Sequence, residues 1–168
     1  MGAVIAGGRA SRFGSDKALA LWDGQPLIAH AVATIGPWVD EVAVVGREWK
    51  DLPSVSDLPG PGLGPLGGIA GALAYAASRG FVGVLTIGCD MPLVPDELIE
   101  RVLRRAPAFC ADAPILGFWP TSLAESLATR LADDPVRSIR GWARDIGALP
   151  IAASAPLHNV NTPADLAA

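Results

Sequence analysis

GAVIAGGRASRFGSDK, residues Gly2 to Lys17, passes from a short apolar segment straight into a loop with three glycines, two arginines, one lysine and a single acid. GAVI is too apolar and too β-branched for surface chain. It reads as a strand buried on both faces of a parallel sheet. Two more runs share that texture and also close on glycine, EVAVVG (41–46) and FVGVLTIG (81–88). Helix-length segments lie between and after them: QPLIAHAVATIG (25–36), PLGGIAGALAYAASRG (65–80) and PDELIERVLRRA (95–106). The second and third open on proline and the second closes at Gly80, as helix ends often do. This alternation predicts right-handed βαβ units. The fold class expected is therefore α/β: one domain over 1–168, doubly wound, with a mostly parallel sheet and helices on both faces. Farther along, FCADAPILGFW holds one or two strands, TSLAESLATRLA and VRSIRGWARDIG read as helices, and LPIAA as a strand. NTPADLAA reads as a short capped helix, with Asn161 or Thr162 before Pro163. Neither a linker nor an internal repeat is visible.

Bulk properties narrow the function classes. The 168 residues carry a net charge of −4, so the global field favours neither nucleic acid nor anionic lipid. The longest apolar stretches fall short of the ~20 residues a membrane span needs. The amino terminus lacks the charged-then-apolar layout of a signal peptide. Cys89 and Cys110 have no metal or disulfide spacing. A soluble cytoplasmic protein is expected.

In a doubly wound sheet, ligands bind at the carboxyl ends of the strands, where strand order reverses. That prior points to the turns after 2–6, after 82–88 and near Asp57, where the unusual residues sit. The glycine loop is not a Walker A motif, because Ser15 and Asp16 separate Gly14 from Lys17. It is not a dinucleotide fingerprint either, because Gly7, Gly8 and Gly14 are wrongly spaced. Its physics is nevertheless similar: glycine lets an anion approach the main-chain N–H groups, and Arg9, Arg12 and Lys17 supply charge. A solvent-exposed turn whose glycines serve geometry alone is the competing reading.

Ile5-Ala6-Gly7-Gly8-Arg9-Ala10-Ser11-Arg12-Phe13-Gly14-Ser15-Asp16-Lys17 resembles the signature loop of the nucleotidyltransferases that make activated sugars and dinucleotide cofactors. Ile5 and Phe13 stand where that signature has Leu and Met. SDLPGPGLGPLGGI (56–69), GCDMP (88–92) and NVNTPADL (159–166) are similar to further motifs of the same superfamily, in the same order. Within it the chain most resembles the molybdenum cofactor guanylyltransferases. The resemblance implies transfer of GMP from GTP to a molybdopterin-type acceptor, with release of pyrophosphate and with Mg²⁺ as cofactor. Arg12, Lys17 and Asp90 are then the catalytic set, Asp90 being the metal ligand. Ile5, Ala6, Gly7, Gly8, Lys17, Asp57, Gly64, Gly68 and Asp90 surround the nucleotide. Asn159 and Asn161, two apart in extended chain and so on one side, face the acceptor. The partners implied are these substrates, transient contact with proteins that deliver cofactor to molybdoenzymes, and no more than weak self-association.

The residues also offer plainer roles. Asp57 and Asp90 sit where a turn-forming Asp is common, and Asn161 where a helix cap is. His30 and His158 receive no role. Trp119 is the one tryptophan that falls where an acceptor pocket could be built. Two features depart from the family pattern. The run Val44-Val45-Gly46 lacks the Asn often found near the base, and the 105–120 stretch is short. Two rival readings remain. One is a transferase using CTP or another phosphorylated acceptor, although Ala6-Gly7-Gly8 favours guanine over the Ala-Ala-Gly of cytidylyl enzymes. The other is a non-catalytic nucleotide-binding delivery protein.

Overall fold

A computed structural model of the chain describes residues 1–7, 16–133 and 138–167. Its strands are β1 (Gly2–Ile5), β2 (Leu21–Trp22), β3 (Gln25–Pro26), β4 (Val42–Val45), β5 (Ser54–Val55), β6 (Gly83–Gly88), β7 (Ala108–Cys110), β8 (Gly117–Pro120) and β9 (Leu149–Ile151). Its helices are α1 (Leu27–Ile35), α2 (Gly64–Ser78), α3 (Asp96–Leu103), α4 (Ala124–Asp133) and α5 (Ile139–Asp145). Seven strands form one sheet in the order β5-β4-β1-β6-β8-β7-β9. β1 lies parallel to both β4 and β6, and β4 parallel to β5. β8 runs antiparallel to both β6 and β7, while β9 is parallel to β7. The chain winds outward from β1 through β4 to β5, then crosses to the far side of β1 to form β6. Strand order therefore reverses around β1, as the alternation predicted.

Continuous apolar strands are explained by burial on both faces. Ala3 and Ile5 of β1 join Ala43 and Val45 of β4 under α2, α4 and α5. Val4, Val44, Leu85 and Ile87 point the other way, against Ile28, Ala31 and Ile35 of α1 and Leu98, Ile99 and Val102 of α3. Thr86, the one fully buried polar residue among the described residues, donates its hydroxyl to Ile115 O at 2.7 Å and accepts Trp119 Nε1–H at 3.0 Å. Trp119 is fully buried, stacked on Phe109 and 4.7 Å from Trp142. It is a core residue and lines no acceptor pocket, contrary to expectation. Its indole needs both an apolar body and a polar partner, and the interior supplies them.

Two local expectations are also corrected. The helix predicted from Gln25 begins at Leu27, because Gln25–Pro26 pairs with Leu21–Trp22 across an Asp23-Gly24 turn whose φ values are 47° and 75°. Such Asp-Gly pairs suit two-residue hairpins. The closing segment forms a 3₁₀ turn, Pro163–Ala167, whose cap comes from inside the turn. Asp165 Oδ2 accepts the N–H groups of Asn161 and Thr162, each at 2.8 Å, so the Asn161 side chain is released from capping. Among the described residues no helix is long and apolar enough to cross a membrane.

Candidate active site

Four strand ends meet at the carboxyl edge of the sheet. β1 delivers Ala6 and Gly7, β4 delivers Gly46 and Arg47, β5 leads to Ser56 and Asp57, and β6 delivers Cys89 and Asp90. Backbone bonds lock them side by side: Ala6 N–H to Val45 O at 3.0 Å, Cys89 N–H to Ile5 O at 3.1 Å, and Gly46 N–H to Val55 O at 2.8 Å. Positions on this edge that lack a side chain do so for want of space. A β-carbon at Gly46 would lie 2.5 Å from the Gly7 Cα, and one at Gly88 only 2.3 Å from Asp90 Oδ1. Gly88 thus lets the Asp90 carboxylate fold back over the strand end.

The closing segment completes the edge. Val160 is fully buried and donates its N–H to the Asp90 carbonyl at 2.9 Å. Alternation in extended chain then turns Asn159 and Asn161 together to the opposite side. Lys17, at the start of a 3₁₀ turn capped by Asp16, reaches both groups. Its Nζ donates to Asp90 Oδ2 at 3.0 Å and to Asn161 Oδ1 at 3.4 Å. Three of the residues singled out from sequence, 17, 90 and 161, therefore meet on one ammonium. Asn159 Oδ1 is buried and has no hydrogen-bond partner among the described residues. Gly8 and Arg12, assigned to the nucleotide and to catalysis, lie outside the described residues.

Two cavities open among the residues of this edge. One, of about 1020 Å³, runs along Gly7, Gly46, Arg47, Ser56, Asp57 and Pro61. The other, of about 420 Å³, is lined by Asp90, Asp112, Arg140, Asn159 and Asn161 among others, with Pro65 at its edge. Asp57 pairs with no described residue, and burial pushes its carboxyl above the usual carboxylate range. Burial also raises the Cys89 thiol to about 12, helped by the neighbouring Asp90, so it stays protonated and is no nucleophile. The Arg47 guanidinium holds the Asp16 carboxyl below its ordinary value, and the N–H groups of Asn161 and Thr162 do the same for Asp165.

The α2 glycines divide their labour in a way the sequence did not reveal. Gly64, at φ 66°, has open space where a side chain would go, and no side chain caps the helix start it forms. Gly68 faces inward: its β-carbon would touch Ile5 Cγ2 at 3.2 Å and Val45 Cγ1 at 3.3 Å. Its smallness seats the helix on the sheet. Gly71, passed over in the sequence, would place a β-carbon 2.0 Å from Ser56 O. Also unassigned were Arg47 and Arg140. Arg47 stood beside a glycine that ended a strand, and Arg140 lies in the first turn of α5, so position was the only signal.

Comparison with known proteins agrees with this architecture. Residues 2–146 match the family model described as MobA-like NTP transferase domain. The molybdenum cofactor guanylyltransferase of Rhodobacter capsulatus is 35% identical, over 99% of this chain and 92% of its own. That of Rhizobium leguminosarum bv. trifolii is 34% identical, over 99% and 89%. Among solved structures, the molybdopterin-guanine dinucleotide biosynthesis protein A of Archaeoglobus fulgidus superposes with a TM-score of 0.74 at 22% identity, covering 99% of this chain and 94% of that one. The 2-C-methyl-D-erythritol 4-phosphate cytidylyltransferase of Thermus thermophilus does so at 0.66 and 18% identity, covering 98% and 94%. At such identities the superpositions speak for the fold alone.

Proposed function

The chain belongs to the MobA-like NTP transferase domain family, and from that premise we propose that it transfers GMP from GTP to a molybdopterin-type acceptor and releases pyrophosphate. That it is a nucleotidyltransferase follows from relatives matched over nearly its whole length. The observation that carries the finer reading is the Lys17 ammonium, bonded at once to Asp90 and Asn161, both of which line the smaller cavity.

The larger cavity suits the nucleoside, with the Gly7 main chain and Asp57 along it. The smaller suits the acceptor, with Asn159 and Asn161 on its wall and Arg140 able to meet an anionic group. Attack by the acceptor's terminal phosphate on the α-phosphorus of GTP forms one P–O bond and breaks the bond to the β-phosphate oxygen. A phosphate monoester is already anionic at neutral pH, so the site needs no general base; a protonated Cys89 beside the cluster is in keeping with that. Positioning and charge neutralisation are what remain to be supplied. Lys17 would follow the charge that gathers on the departing pyrophosphate. The uncapped start of α2 presents main-chain N–H groups and the positive end of its dipole to the phosphates.

Among the described residues no three His, Cys, Asp or Glu side chains cluster tightly enough to form a closed metal cage. The residues do fit Mg²⁺, which takes one or two carboxylates and completes its shell with water and substrate phosphates. Asp90 would be its protein ligand, and the orphaned amide oxygen of Asn159 is a further hard donor on the same side. Bound there, the ion would withdraw electron density from the nucleotide's phosphate oxygens.

The test is a transfer assay with GTP labelled at the α-phosphate. Label is expected to join the molybdopterin-type acceptor, with one pyrophosphate released per transfer and CTP, ATP and UTP well behind. Equal use of CTP, or nucleotide binding without pyrophosphate release, would displace this reading in favour of a cytidylyl enzyme or a delivery protein.

A further inference from the structure

Residues 46 and 47, at the end of β4, touch both described residues that flank positions 8–15. Gly46 lies against Gly7, where any side chain would collide with main chain. Arg47 forks onto Asp16: Nη1 donates to Oδ1 at 2.9 Å, and Nη2 donates to Oδ2. Asp16 has a second task. The same Oδ1 accepts the Ala18 N–H at 3.2 Å and so caps the 3₁₀ turn that begins at Lys17. Lys17 then donates to Asp90 and Asn161. An unbroken series of contacts thus runs from the end of β4, through a carboxylate, to the ammonium at the centre of the site.

We propose that Arg47 is a positioning residue: by gripping Asp16 with both arms of its guanidinium, it fixes the turn that aims Lys17 at the reacting phosphates, and it does not itself touch the nucleotide. The proposal rests on the functional reading above. Its strength is geometric. Two parallel N–H···O bonds fix the orientation of the carboxylate as well as its distance, which a lysine ammonium cannot do. Arg47 also lines the larger cavity, so direct contact with the nucleotide is the rival role. Each terminal nitrogen, however, already donates one N–H to Asp16, and that pairing fixes the plane in which the remaining donors point. A purely structural role is the other rival. The pair is partly solvated, with side chains 23% and 44% exposed, and exposed ion pairs contribute little to stability.

The experiment pairs kinetics with a readout that needs no substrate, the rate at which an amine-reactive succinimidyl ester labels Lys17, followed by mass spectrometry. In R47A, Lys17 is expected to label several-fold faster. kcat should fall about 10- to 100-fold, the scale on which partners of ligating groups act, while KM for GTP rises by less than it does in Lys17→Ala. Asp16→Asn keeps the Oδ1 cap but loses the charge pair, so R47A should add nothing in that background. R47K should restore little, and it replaces R47A if the alanine variant fails to fold. The melting temperature should drop by no more than about 4 °C. Additive losses in the double variant, or a raised KM with unchanged Lys17 labelling, would mean direct nucleotide contact and overturn the proposal. So would labelling and kcat that both stay at wild-type values. If the wild-type chain transfers no nucleotide, the functional reading falls, and the labelling comparison still decides the role of Arg47.

Discussion

Asp90 is paired where it stands and is asked to do something else. Its carboxylate is 32% exposed and bonded to Lys17 at 3.0 Å, and a pair so placed contributes about 0–1 kcal/mol to stability. Asp90→Asn should therefore fold and melt almost as wild type, yet lose transfer by about 10²- to 10³-fold, the scale of one removed charge-stabilising group. Steady-state assays with Mg²⁺ check this, and near-wild-type turnover would take Asp90 out of the mechanism. Lys17→Ala should weaken GTP binding by about 10- to 150-fold, since hydrogen bonds to charged groups contribute about 1.5–3 kcal/mol; calorimetry reads it directly. Asp57 behaves oppositely. Burial raises its folded carboxyl, so its contribution to stability is complete below the unfolded value of about 3.9 and is lost as pH rises through the folded one. Burial therefore disfavours the ionised form of this side chain in the fold. Asp57→Asn should raise the melting temperature at pH 7 by about 1–4 °C, lose that gain near about pH 3, and weaken GTP binding. A lower melting temperature at pH 7 with unchanged affinity would show that Asp57 is only a turn residue.

Elements, more than single side chains, set how tightly this edge is assembled, and α2 shows it best. Its glycine face brings a helix so near the 56–58 turn that Leu58 donates its N–H to Gly67 O at 3.1 Å, and no β-carbon fits at Gly71. Gly71→Ala should force the turn away. A cost of about 1–3 kcal/mol, as for other overpacked sites, is expected in urea unfolding, together with weaker GTP binding through the displaced Asp57. Unchanged stability would mean that the turn yields freely. The same helix marks what sequence can and cannot disclose. That GPLGGIAG opens a helix was legible from proline, glycine and apolar spacing. Which glycine faces solvent and which faces Ile5 depends on the helix's rotation against the sheet, and the near-uniform apolarity of α2 conceals that. The closing segment hid its cap for a related reason: Asn161, Thr162 and Asp165 can all serve as acceptors, and only the fold shows that Asp165 does so, leaving Asn161 to Lys17. The strand set and its faces were legible because buried parallel strands must be apolar throughout. The small hairpin at Asp23-Gly24 was written plainly, but its second strand, Gln25–Pro26, was read as the start of a helix.

For the molecule as a whole, the proposed binding edge gathers residues far apart in sequence: Gly7 and Lys17 early in the chain, Asn159 and Asn161 late in it, with Arg47, Asp57 and Asp90 between. A chain of net charge −4 offers a triphosphate no general attraction, so affinity has to come from these few groups held together by the complete sheet. Ligand that binds only the assembled edge must stabilise the entire fold. At a hundredfold excess over Kd this linkage amounts to about 2.7 kcal/mol, or roughly 5–11 °C of melting temperature for a domain of this size. GTP with Mg²⁺ should give the full shift and GTP with a chelator a smaller one. CTP should give less than GTP at equal concentration. Asp90→Asn should keep the metal-free shift and lose the increment that Mg²⁺ adds, because the carboxylate is the ion's only proposed charged ligand on the chain. Were that increment to survive in Asp90→Asn, the ion would have to be held by other groups, and the assignment of the β6 end as the metal side of the site would fail even if transfer activity were confirmed.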